Sequence, residues 1–161
     1  MSADEVNEKF NLPPYQELPD MGLYLNQVVT YLQKCVAPFP SVKVTSSMVS
    51  NYVKHQLVTR PQKKLYRREQ IAQLLFIVVA KNVLEQSNLY KAIQIQRESY
   101  QTRVAYNYFA EELDNVSRYV FGQQDQLERV GHEQTKQKQM LRNVIMAFAY
   151  REYLYQFFEG Q

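Results

Sequence analysis

The chain has a single cysteine, Cys35, no tryptophan and only four glycines among its 161 residues. One thiol excludes an internal disulfide and a four-thiolate zinc site. None of the six prolines follows Pro61. So long a stretch without proline, and with so little glycine, excludes a turn-rich sandwich or barrel and points to helices. Long apolar runs are missing too. The longest, Leu74 to Ala80, is far too short to cross a bilayer as a helix. Residues 1–20 have neither a basic n-region nor an apolar h-region. No signal peptide is visible, and the expectation is a cytoplasmic, soluble protein. At 45% hydrophobic and 22% charged, the composition supports a buried core and excludes whole-chain disorder.

Negative charge is absent from the middle of the chain. Residues 21–68 carry Lys34, Lys43, Lys54, Arg60, Lys63, Lys64, Arg67 and Arg68 and no Asp or Glu, a net of +8. Residues 1–20 carry −4 and residues 69–161 carry −1. Such a stretch makes a local field that attracts polyanions. The plain alternative is an ordinary solvated surface.

Periodicity organises the rest. Residues 1–19 hold Pro13, Pro14 and Pro19 and read as an extended lead-in. Asp20 is the expected N-cap of a helix over about 21–35 with Leu25, Val28, Val29 and Leu32 as its buried stripe. Pro38 and Pro40 break the chain after it. Thr45 is suited to cap a second helix, whose apolar side is Val49, Val53 and Leu57. Ser47, Ser50, Asn51 and Lys54 recur at i, i+3, i+4 and i+7 and form a polar stripe opposite it.

Pro61 ends that helix, and the basic segment 60–66 is a tight hairpin or an extended loop without an Asn-Gly or Asp-Gly turn. A third helix over about 67–84 is apolar on nearly every side and should be the central core element. A short helix carrying Leu89, Ala92, Ile93 and Ile95 follows. Two long patterns close the chain. The first covers about 97–121, with Val104, Ala105, Tyr108, Phe109, Leu113, Val116 and Val120 inward. The second covers about 133–158, with Met140, Leu141, Val144, Ile145, Phe148, Tyr155 and Phe157 inward.

The string Val44 to Val58, then Pro61, then Leu65-Tyr66-Arg67-Arg68-Glu69-Gln70-Ile71 resembles the MerR-type winged helix-turn-helix. There the first part is the recognition helix, the Pro opens the wing, and the Tyr-containing basic pattern enters the next helix. Residues 18–69 are similar, more narrowly, to the domain of unknown function 1836 family. Its pattern runs through Leu18-Pro19-Asp20, Thr45-Ser46, Met48-Val49, Asn51-Tyr52-Val53-Lys54 and Lys63-Lys64. The resemblance covers about 15–95. It implies a mainly α fold, with a MerR-like winged helix-turn-helix domain over 20–95 followed by a C-terminal helical hairpin over 97–161. Three departures stand out. The loop holding Pro38 and Pro40 is long, Gln56 stands where the wider family has Gly, and the wing is short.

On that fold the chemistry reads as nucleic-acid binding. Ser47, Ser50, Asn51 and Lys54 suit base edges, since Asn pairs bidentately with adenine and Ser serves base or phosphate. Lys63, Lys64, Arg67 and Arg68 would neutralise phosphates. Tyr66 would bond a phosphate or pack the connector. A polar stripe is also what any solvated helix face presents.

Catalysis finds no support. His55 and His132 lack a patterned carboxylate partner. Cys35 reads as an inert buried thiol. Glu111, Glu112 and Asp114 lack metal-ligand spacing, and no Gly-rich phosphate loop is present. No metal or cofactor is implied.

The C-terminal tyrosines, Tyr100, Tyr106, Tyr108, Tyr119, Tyr150, Tyr153 and Tyr155, exceed the needs of one two-helix core. They suggest packing between helices or a homodimer interface. The expectation is a DNA-binding transcriptional regulator acting as a homodimer. The competing reading is a non-catalytic module whose basic surface binds an acidic protein partner.

Overall fold

The computed structural model describes residues 10–131 and 133–160, so the first nine residues of the expected lead-in, His132 and Gln161 lie outside it. A single 3-10 turn, Tyr15–Glu17, precedes six α-helices among the described residues: α1 Leu25–Cys35, α2 Ser46–Lys54, α3 Arg68–Ala80, α4 Gln86–Ser99, α5 Thr102–Val120 and α6 Lys136–Glu159. The chain is mainly helical, and no β-strand occurs among the described residues.

Helix α3 is the centre of the core, as its composition predicts. Gln70, Ile71, Ala72, Leu74, Leu75, Ile77, Val78, Val79 and Ala80 are all buried. Helices α1 and α2 pack on one another, α1 also packs on α3, and the α5–α6 hairpin packs on α3 as well. One cluster therefore takes in Val28 and Leu32 of α1, Val49 of α2, Leu113 of α5 and Phe148 of α6. The segments read from sequence as two units share this core.

From Phe10 onward the lead-in is part of the core. Phe10, Leu12 and Leu18 are buried. Phe10 stacks on Phe39 at 5.6 Å and packs against Phe121 at 5.2 Å. The Tyr106 hydroxyl donates to Pro13 O at 2.6 Å, and Tyr15 N donates to Asn107 Oδ1 at 2.9 Å. Each buried aromatic is worth roughly 1.5–3 kcal/mol of apolar transfer, so the strap is held firmly across α5.

Helix α1 begins at Leu25, later than its periodicity suggests. Gly22 sits at φ +90°, and Leu23 exchanges two backbone hydrogen bonds of 2.8 Å with Tyr66. Residues making that pair cannot also be helical. Asp20 is consequently not the N-cap of α1. Its Oδ1 instead accepts from Arg68 N at 3.3 Å, serving the start of α3.

The long loop after α1 is explained by what it fills. Phe39 is buried against Phe148 of α6 at 5.2 Å. The buried Glu152 carboxylate accepts from Ser41 N at 3.3 Å and from the Ser41 hydroxyl. The loop thus docks on the C-terminal helix.

Two sequence expectations about the C-terminal helices change. A break at Tyr100–Gln101, extended at Tyr100, separates α4 from α5, so α4 is not short. Val104, expected inward, is 44% exposed, and Phe157, also expected inward, is 50% exposed. Glu112 and Glu152 are fully buried, on the inward faces of α5 and α6. Cys35 is half-buried, and burial raises its thiol above the ordinary range.

Candidate nucleic-acid interface

Helix α2 presents the polar stripe to solvent. The Thr45 hydroxyl accepts from Met48 N at 3.2 Å, which caps the helix. Val49 and Tyr52 turn into the core. That packing orients Ser47, Ser50, Asn51 and Lys54 outward, and all four are exposed. None of the four side chains hydrogen-bonds another described residue, so the stripe is free to meet a ligand.

The C-terminus of α2 closes with Gln56 at φ +62°. Leu57 N donates to Tyr52 O at 2.9 Å and Gln56 N to Val53 O at 3.1 Å, the paired bonds of a Schellman turn. Buried Leu57 and Val58 then lock the turn in place. Gln56 occupies a conformation that glycine adopts without Cβ strain. Gln56→Gly is expected to stabilise the fold by about 1 kcal/mol. A thermal melt should rise by a few degrees, and an unchanged or lower melting point would show that the turn is not strained.

The connector is a two-residue hairpin. Gln62 pairs with Leu65, whose N–H donates to Gln62 O at 2.9 Å. The two residues at its tip are Lys63, φ +52°, and Lys64, φ +64°. Positive φ at both central positions is the type I′ pattern, which Asn-Gly satisfies best. Lysine in the left-handed region costs on the order of 1–2 kcal/mol per residue. Both lysines are exposed. Thr59 and Gln73 tie the connector to α3 through bonds of 2.8 and 2.9 Å.

Tyr66 and Arg68 turn inward. Tyr66 is buried, and burial raises its hydroxyl above the usual tyrosine range. It packs the connector onto the core. Arg68 Nε donates to Leu18 O at 3.0 Å and Nη2 to Gln16 O at 2.9 Å, with the guanidinium 5.8 Å from the Tyr15 ring centroid. Through Nε and Nη2 it fastens the lead-in. Arg67 is exposed but donates once, from Nη1 to Asp20 O at 2.8 Å.

Lys81 lies outside the acid-free stretch. Its Nζ donates to Lys43 O at 2.5 Å and sits 6.0 Å from the Tyr52 ring centroid, and burial lowers its amine to about 8. It braces the back of α2. Only its long-range contacts reveal this, because nothing local marks it.

The acidic trio of α5 is dispersed. Glu111 is exposed, Glu112 pairs with Arg142 at 2.9 Å and Asp114 with Arg118 at 3.0 Å. Among the described residues no group of three or more His, Cys, Asp or Glu side chains could hold a metal ion. No helix among them is long and apolar enough to cross a membrane.

No curated protein and no solved structure matches this chain. One family model does, that of the domain of unknown function (DUF1836), over residues 13–109. The match begins in the strap that Arg68 fastens, spans the polar stripe and the lysine turn, and ends in α5, so the chain belongs to the DUF1836 family.

Proposed function

We propose that the protein is a cytoplasmic DNA-binding transcriptional regulator that acts as a homodimer and performs no catalytic step. In this reading α1 and α2 are a MerR-like helix-turn-helix pair, and the Lys63-Lys64 turn is a shortened wing. Ser47, Ser50, Asn51 and Lys54 meet base edges, while Lys63, Lys64 and Arg67 meet phosphates. Tyr66 and Arg68 hold the scaffold. The observation that carries the reading is the lysine pair in left-handed backbone. Residues kept in strained geometry are a mark of function, because local preference alone would replace them.

The dimer rests on α6. Tyr150, Tyr153, Leu154 and Phe158 are exposed, and their spacing of i, i+3, i+4 and i+8 puts them on one stripe. An apolar stripe of this kind is self-complementary across a two-fold axis. Leu154→Glu should convert a sedimenting dimer to a monomer. A wild-type monomer, or a variant that remains dimeric, would remove this stripe from the reading.

Fluorescence anisotropy against a pool of host genomic fragments tests the function. Binding that falls steeply with salt and enriches particular fragments is expected. Asn51→Ala should mainly relax the sequence preference, at a cost of about 1–3 kcal/mol on the preferred site. Absence of binding at about 50 mM salt, where the phosphate attraction is strong, would refute the DNA reading. The two-residue wing tip fits the competing one, in which the basic surface docks an acidic protein; a pull-down would then be the next measurement.

A further inference from the structure

A cavity of about 170 Å³ lies between α3, α4, α5 and the first turns of α6. It exceeds the ~150 Å³ engineered cavity that takes up benzene. Three alanines, Ala72, Ala92 and Ala105, come from three different helices and leave the space, while Phe76 and Phe109 form an edge-to-face aromatic wall at 5.4 Å. Exposed Ile95 and Val104 stand at its edge, which accounts for the outward position of Val104.

Carboxylates approach the cavity from behind its walls, Glu69 at Thr102 and Glu112 at Tyr108. The lining itself contains no Asp or Glu, and Lys138 is its sole ionisable cation. The Lys138 amine makes no ion pair with a described residue and sits 5.1 Å from the Tyr108 ring centroid. Lys138 lies in the first turn of α6, where Thr135 caps the helix by accepting from Lys138 N at 3.2 Å. The positive end of the helix dipole adds to the lysine charge there.

We propose that this cavity binds a small amphipathic monocarboxylate, with its aromatic or short aliphatic body between α3 and α5 and its carboxylate on Lys138. Apolar walls supply affinity, and the amine selects the anion. The site stands independently of the DNA reading, since none of its residues belongs to the proposed DNA surface. It does reach Leu57, the residue that locks the end of α2.

Calorimetry with 3-phenylpropanoate and its uncharged counterpart 3-phenylpropan-1-ol tests the assignment on the full chain. The carboxylate should bind about tenfold more tightly than the alcohol, the usual worth of a hydrogen bond to a charged group. Lys138→Met, a change at the cavity edge, should erase that preference and leave the alcohol's affinity unchanged. Ala105→Leu, which fills the space from the half-buried face of α5, should weaken both probes. Equal affinities in the wild type would overturn the role of Lys138. Failure of both probes to bind at millimolar concentration would overturn the site.

Discussion

Arg142→Met is expected to destabilise the protein by about 3–5 kcal/mol, because it strands a buried charge. Glu112 on α5 is fully buried. Its Oε1 accepts from Arg142 Nε at 3.0 Å and pairs with Nη2 at 2.9 Å. The same guanidinium reaches Glu128 O at 2.6 Å, and Asn115 secures Glu128 from the other side with bonds of 2.7 and 3.1 Å. One cation therefore joins α5, α6 and the connection between them. Nearby, burial and then the Glu112 charge push the Tyr108 hydroxyl up to about 12. Glu112→Gln with Arg142→Met should recover much of the loss, since an amide costs far less to bury than an unpaired carboxylate. Urea unfolding of both variants gives the answer. A single-variant loss below ~1 kcal/mol would mean that the pair is screened like a surface bridge.

Lys63→Asn with Lys64→Gly should move stability and DNA binding in opposite directions. Asn-Gly relaxes two left-handed residues, and after the extra chain entropy that glycine loses on folding the fold should gain about 1–2 kcal/mol. The tip loses two amines, so affinity for DNA of any sequence should fall roughly tenfold or more. The salt dependence should flatten by ~1.8 units of slope, at about 0.9 per lost phosphate contact. Stabilisation without loss of affinity would show that the turn is merely strained and that phosphates are met elsewhere. Weakened binding without stabilisation would show that the lysines cost nothing to keep, and strain would cease to argue for function.

Local spacing in the sequence determined the elements that depend on neighbours alone. The apolar stripe of α1, the Thr45 cap, the all-round burial of α3 and the outward stripe of α2 were legible, since helical periodicity places them without reference to distant residues. Membership of the DUF1836 family was legible in the wording from Leu18 to Glu69.

The tertiary structure decided everything that needs a partner far along the chain. Asp20 left α1 for the start of α3 because Gly22 and the Leu23–Tyr66 pair took the backbone out of helix. Arg68 reaches back about fifty residues to hold the strap at Gln16 and Leu18, which no local spacing announces. Val104 and Phe157 fit an apolar period yet face outward, whereas the carboxylates Glu112 and Glu152 lie in the core. A charge can be buried only where a counter-charge or a set of donors meets it. Arg142 and Ser41, 30 and 111 residues away in sequence, meet those two carboxylates only once the helices have packed.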